Sequence, residues 1–259
     1  MFICKNLNNI YLSNVAIAIG LFDGVHVGHM KLINELQKSK LATCIFSFDI
    51  SNRKPALKQN AERIISFEKK CELLSKANIS YFIEIPFEQV ELMYAEDFIE
   101  EIIVKKLGCR LLVCGKDFKF GYKRLGDIDD TRCILNNYGS DILVVEDAFV
   151  NNEKVSSSKI REYIRTGNIS KANALLGRNF TLDFDVVNYS FNDGVILQMV
   201  EDELVFPPSG EYNSVIKFAE KTIKTKTNIY NSSDYKLAIT CCEKYDVTKW
   251  LKNIVIELI

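Results

Sequence analysis

The chain has 259 residues, 47% of them hydrophobic, and its 33 Lys and Arg nearly balance 34 Asp and Glu to leave a net charge of −1. That composition suits one large or two smaller packed domains and excludes a broad basic face for duplex nucleic acid or a polybasic membrane patch. No apolar run approaches the roughly 20 residues that cross a bilayer, so no membrane partner is expected.

Taken in chain order, Met1-Phe2-Ile3-Cys4-Lys5 lacks the basic start and long apolar centre of a signal peptide, so a cytoplasmic protein is expected. The unbroken apolar run Val15-Ala16-Ile17-Ala18-Ile19 predicts a buried parallel strand, and Met30, Leu32, Ile33 and Leu36 then recur at helical spacing. A second strand is predicted over 41–48, a helix over 61–77 with Ile64, Ile65, Cys71, Leu73 and Leu74 on its apolar face, and a strand over 80–85 stopped by Pro86. Further on, helix 95–107, strand 110–114, helix 129–138 and strand 141–145 complete an alternating pattern, which implies a parallel sheet covered on both faces. From about residue 180 the texture changes to short alternating runs over 181–189, 195–200, 203–206, 212–218 and 235–240, the pattern of antiparallel strands, with a short helix over 246–251. A domain border is therefore expected near 178–184. Eight cysteines are scattered through apolar segments without a Cys-x-x-Cys pair, as buried reduced thiols are.

The two histidines, His26 and His29, share one run, Gly20-Leu21-Phe22-Asp23-Gly24-Val25-His26-Val27-Gly28-His29, between the first strand and first helix. A helix start offers backbone N–H groups and the positive end of the helix dipole, and glycines permit close approach, so this turn suits a phosphate. Two imidazoles three residues apart reach the same anion, while Phe22 and Asp23 shape the turn. Gly115-Lys116-Asp117-Phe118-Lys119-Phe120-Gly121 follows another strand end, where Asp117 offers an acceptor or a Mg²⁺-facing carboxylate. Phe118 and Phe120, two apart, share a face and suit either a flat ligand ring or simple packing. Ser156-Ser157-Ser158 before Lys159-Ile160-Arg161 reads as a helix cap, or as a triphosphate site with Arg161 on the leaving pyrophosphate.

These three motifs, in this order and spacing, resemble the bacterial bifunctional riboflavin kinase/FAD synthetases, specifically their FMN adenylyltransferase domain in the nucleotidylyltransferase superfamily. The likeness spans about residues 12–180, including Gly126-Asp127 and the segment from Ala172 to Arg178. It implies an α/β, Rossmann-like nucleotidylyltransferase domain over 1–180, followed by a small, degenerate, mainly antiparallel β-barrel-like domain over 181–259. It also implies that FMN and ATP with Mg²⁺ are the substrates, giving FAD and pyrophosphate, with His26, His29 and Arg161 as catalytic residues. Gly20, Phe22, Asp23, Gly24, Gly28, Gly115, Asp117, Phe118, Phe120, Ser156, Ser157 and Ser158 are the implied binding residues.

Two departures stand out. After Phe48-Asp49 the chain reads Ile50-Ser51-Asn52 where such enzymes carry Pro-His-Pro, and Ser158 replaces a threonine. The first leaves room for a different phosphate monoester as acceptor, or for a flavin-nucleotide binding protein without turnover. Nothing after Arg178 reproduces the kinase signature Gly-Phe-Pro-Thr-Ala-Asn, while Pro207-Pro208-Ser209-Gly210-Glu211-Tyr212 faintly resembles the kinase's Pro-x-x-Gly-x-Tyr turn and strand. No riboflavin kinase activity is expected: with riboflavin, ATP and Mg²⁺ the protein should form no FMN above a blank, and accumulation of FMN would contradict this reading.

Overall fold

In the computed structural model, residues 1–8, 10–49, 62–183, 195–198, 204–218, 221–231, 236–240 and 255–259 are described. The Ile50-Ser51-Asn52 departure, the helix expected over 246–251, and Cys241 and Cys242 lie outside them. By contacts the chain forms two compact units, 1–61 with 70–154 and 62–69 with 155–259.

The first unit is built on strands β1 (Phe2–Cys4), β2 (Val15–Ile19), β3 (Ala42–Asp49), β4 (Tyr81–Pro86), β5 (Cys109–Gly115) and β6 (Asp141–Val145). They form one six-stranded sheet in the order β1-β4-β3-β2-β5-β6. Every pairing in it is parallel. All five β2 residues are buried, as the apolar run requires of a strand covered on both faces. Register sets Ile17 beside Cys44 and Leu112, and Ala18 beside Ile45 and Val113. Helix α1 (Val27–Lys38) links β2 to β3, and α2 (Phe67–Lys76) precedes β4. The β4–β5 crossover contains α3 (Ala95–Asp97), running on as a π-helix over Phe98–Lys106, and α4 (Ile128–Asn137) links β5 to β6. The chain thus builds outward from β2 on one side, then returns to its other side with β5. Between the carboxyl ends of β2 and β5 lies the topological switch point, where open α/β sheets bind ligands.

Two differences from expectation have simple causes. Strand β1 is too short to show a pattern. Helix α2 starts at Phe67, so Ile64 and Ile65 are buried ahead of the helix, not on its face. Cys44, Cys109 and Cys114 are buried thiols, burial pushing Cys109 up to about 12 and Cys114 up to about 11, so both stay protonated at neutral pH. Cys133, by contrast, is exposed on α4.

After β6, strands β7 (Phe149–Val150) and β8 (Glu153–Lys154) form a small antiparallel hairpin. In the second unit, β9 (Phe180–Asp183), β10 (Val195–Gln198), β11 (Gly210–Phe218), β12 (Lys221–Asn231), β13 (Lys236–Thr240) and β14 (Val255–Leu258) form an antiparallel ladder in the order β10-β13-β12-β11-β14-β9. In the expected strand over 203–206, Leu204 makes only an isolated bridge to Arg63. By contacts helices α5 (Ser157–Arg165) and α6 (Ile169–Leu176) group with this unit. The Asn173 amide donates to the Leu258 carbonyl at 2.8 Å and accepts from the Phe180 N–H at 2.6 Å, tying α6 to β14 and β9.

Candidate active site

The turn from β2 to α1 holds both histidines. His26 is the N-cap of α1, and the two side chains complete a reciprocal capping box. The His29 N–H donates to His26 Nδ1 and the His26 N–H donates to His29 Nδ1, both at 3.3 Å. Their rings stack at 3.6 Å between centroids with 13° between planes. An Nδ1 that accepts a hydrogen bond carries no proton, so the cap selects the neutral tautomer with the proton on Nε2. Each imidazole is therefore an Nε2–H donor, set beside the N–H groups of a first helical turn whose own residues include no Asp or Glu. Such an arrangement can donate hydrogen bonds to phosphate oxygens.

The turn leading there is strained. Phe22 (φ 50°), Gly24 (φ 84°) and Val25 (φ 38°) are left-handed, and for the β-branched Val25 that is a true outlier. Phe22 is fully buried, with its ring 4.7 Å from that of His29. Val25 N–H closes the turn onto the Phe22 carbonyl at 3.1 Å. Asp23 and His26 are also buried. Gly20 donates to the Phe46 carbonyl of β3 at 3.0 Å, and a Cβ there would touch the Phe22 ring at 3.4 Å. At Gly28 a Cβ would press on His26 Cε1 at 3.1 Å and Nδ1 at 3.2 Å. The glycine is what lets the imidazole fold over the helix start.

At the end of β5, a Cβ on Gly115 would meet nothing within 4 Å among the described residues, so the backbone is open to close approach. Asp117 beyond it is exposed and paired with Lys154 at 2.8 Å, whose ammonium holds its carboxyl below the usual carboxylate range. Lys154 also reaches Asp147 at 2.9 Å. Phe118 and Phe120 stack at 4.8 Å; Phe120 is buried in the core and Phe118 packs partly against it. Packing thus accounts for Phe120. Asp127, in the motif's extension, is the N-cap of α4, accepting from Asp129 and Asp130 N–H at 3.0 and 3.2 Å.

In the second unit, Ser156 caps α5, its Oγ accepting from the Lys159 N–H at 3.3 Å. Ser157 and Ser158 open the helix and Arg161 follows one turn in, half-buried. Two of the three motifs therefore share the switch point of the first unit, and the third heads a helix of the second. A cavity of about 810 Å³ along α1 and β6, lined by residues such as Lys31, Lys38 and Glu146, includes none of the motif residues.

Sequence reading missed one cluster under this turn. Lys70 and Glu84 form a buried ion pair at 2.6 Å, their side chains 8% and 9% exposed. Lys70 also donates to the Leu21 carbonyl at 3.1 Å. The only signal was a charge interrupting an apolar strand, Tyr81-Phe82-Ile83-Glu84-Ile85.

A parallel Rossmann-like sheet with a histidine-capped turn at its switch point places the first unit in the α/β class. Residues 9–159 match the model of the FAD synthetase family, and the chain belongs to that family. It is 33% identical over 196 residues to a bifunctional riboflavin kinase/FMN adenylyltransferase of Buchnera aphidicola, covering 73% of this chain and 63% of that protein. It is 30% identical over 206 residues to an FAD synthetase of Listeria monocytogenes, covering 76% and 80%. The chain thus spans about three fifths of the bifunctional relatives it matches. In fold it is similar to a Streptococcus pneumoniae structure described as a macrolide-efflux protein, with a TM-score of 0.83 at 19% identity over 99% of this chain and 88% of that one.

Gly28→Ala should displace the His26 ring and lower kcat for the reaction proposed below by about tenfold or more while the protein stays folded. Steady-state kinetics on the folded variant check this; wild-type kcat would contradict the role given to Gly28.

Proposed function

We propose that the chain is an FAD synthetase, transferring AMP from ATP to FMN to give FAD and pyrophosphate, without riboflavin kinase activity. The observation that carries this is the histidine cap at the head of α1, set in a chain whose residues 9–159 match the FAD synthetase family. A phosphate oxygen of FMN attacks the α-phosphorus of ATP, forming one P–O bond as the bond to the bridging α–β oxygen breaks and pyrophosphate leaves. The acceptor is already an anion, so no protein nucleophile or strong base is needed. The chain instead positions the phosphates and stabilises their charge.

In this reading His26 and His29 donate through Nε2–H to phosphate oxygens, and Gly20, Phe22, Asp23, Gly24 and Gly28 shape the turn around them. Gly115, Asp117, Phe118 and Phe120 border the substrates at β5, while Ser156, Ser157, Ser158 and Arg161 serve the triphosphate and the leaving pyrophosphate. Among the described residues no three His, Cys, Asp or Glu side chains cluster as a metal cage. In this proposal Mg²⁺ enters as the companion of ATP. Residues 1–180 are assigned the adenylyltransferase, and residues 181–259 a shortened, degenerate kinase-like β domain. Among the described residues no helix is long and apolar enough to cross a membrane, and we assign the chain to the cytoplasm, with small-molecule partners and no nucleic acid. Transfer to another phosphate monoester is favoured by one feature, the Ile50-Ser51-Asn52 departure.

Purified protein with FMN, ATP and Mg²⁺ should release FAD and pyrophosphate. The double variant His26→Ala/His29→Ala should lose about 10³-fold or more in turnover while binding FMN nearly as well as wild type. FMN binding without FAD would point to a binding protein, and no FMN binding to another acceptor.

A further inference from the structure

The pair Lys70–Glu84 is costly to bury. Two charges withdrawn from water gain little for the fold, and apolar residues of similar volume commonly do as well or better in such places. What an apolar pair does not supply is a donor to a backbone carbonyl. Lys70 Nζ lies 2.6 Å from Glu84 Oε1 and 3.1 Å from the Leu21 carbonyl oxygen. Ser47 Oγ, on β3, lies 3.1 Å from that same carbonyl and 3.3 Å from the same Glu84 oxygen, its single proton shared between them. The Phe82 ring closes over the ammonium at 5.9 Å. One carbonyl thus collects donors from α2 and β3, with β4 fixing the ammonium.

That carbonyl belongs to the residue before Phe22, where the chain enters its left-handed conformation. Strained backbone persists only where the surroundings over-determine it. From Leu21 the path is short: the Phe22 ring lies against His29, and His29 is locked to His26 through the cap. We propose that Lys70, Glu84 and Ser47 are positioning residues for the phosphate site, holding the β2–α1 turn through the Leu21 carbonyl so that both imidazoles keep their cap and their Nε2–H donors. This rests on the reaction proposed above for what the turn serves, but not for its geometry.

The test uses the whole protein with three readouts: thermal unfolding, FAD turnover, and ATP affinity by calorimetry. Lys70→Met/Glu84→Gln removes both charges together, so no unpaired charge is left buried, and it should still unfold cooperatively near the wild-type temperature. Lacking the Lys70 bond to the Leu21 carbonyl, it should lose about tenfold or more in kcat and bind ATP more weakly, with the KM for FMN little changed. Ser47→Ala leaves the ion pair intact and should lose about threefold or more in kcat. A folded double variant matching wild type in both turnover and ATP affinity would overturn the proposal. If the double variant does not fold, Ser47→Ala decides, and wild-type turnover with wild-type ATP affinity there overturns it. Wild-type protein that makes no FAD would sink the proposed reaction instead, while the ATP affinities of the variants still judge the positioning role.

Discussion

Between Gly20 and His26 the backbone must carry two buried side chains, Phe22 and Val25, through the left-handed region before α1 can begin. Each such residue costs on the order of 1–3 kcal/mol. The return is geometric: the chain leaves β2 and reverses into the helix within a few residues, so the first turn of α1 opens at the sheet's carboxyl edge. The cap then uses both imidazoles where the usual capping box pairs a serine or threonine with a glutamate or glutamine. A cap of Ser and Glu would satisfy the same N–H groups, but its carboxylate would repel a phosphate. Neutral imidazoles satisfy them and still present hydrogen-bond donors.

Sheet order explains why this turn and the β5 loop are neighbours although nearly a hundred residues separate them in the chain. Because β2 is flanked by β3 on one side and β5 on the other, the crossovers from β2 and from β5 diverge, leaving a crevice at their carboxyl ends. Gly115 closes β5 at that end, and a Cβ there would meet nothing within 4 Å among the described residues. Lys154, Asp117 and Asp147 link the β5 loop to the segment after β6, so the loop is tethered by charge on its outer side and by Phe120 on its inner side.

Much of the first unit was legible because parallel strands buried on both faces must be continuously apolar. Val15–Ile19, buried throughout, falls where the run of residues says it should; the edge strand Asp141–Val145 does too, although only Ile142 of it is buried. The histidine turn was legible as well, since glycines and two imidazoles between a strand and a helix have few other uses. The strained φ values and the mutual cap were not, because they depend on atoms meeting rather than on residue types. Lys70 and Glu84 were hidden for another reason: in a pattern of apolar positions a buried charge looks like a gap. Strand β12, Lys-Thr-Ile-Lys-Thr-Lys-Thr-Asn-Ile-Tyr-Asn, was not among the expected strands, since lysines break up its apolar positions, yet it pairs with β11 over nine positions. Asp127 was read only as part of a resemblance, whereas its first task is local, capping α4.

The most direct measurement supplies ATP labelled at its α-phosphorus together with unlabelled FMN and Mg²⁺, and follows the label by chromatography. Label appearing in FAD, with unlabelled pyrophosphate released, is the predicted result. Label that stays in ATP, or leaves as AMP or in any product other than FAD, would contradict adenylyl transfer to FMN.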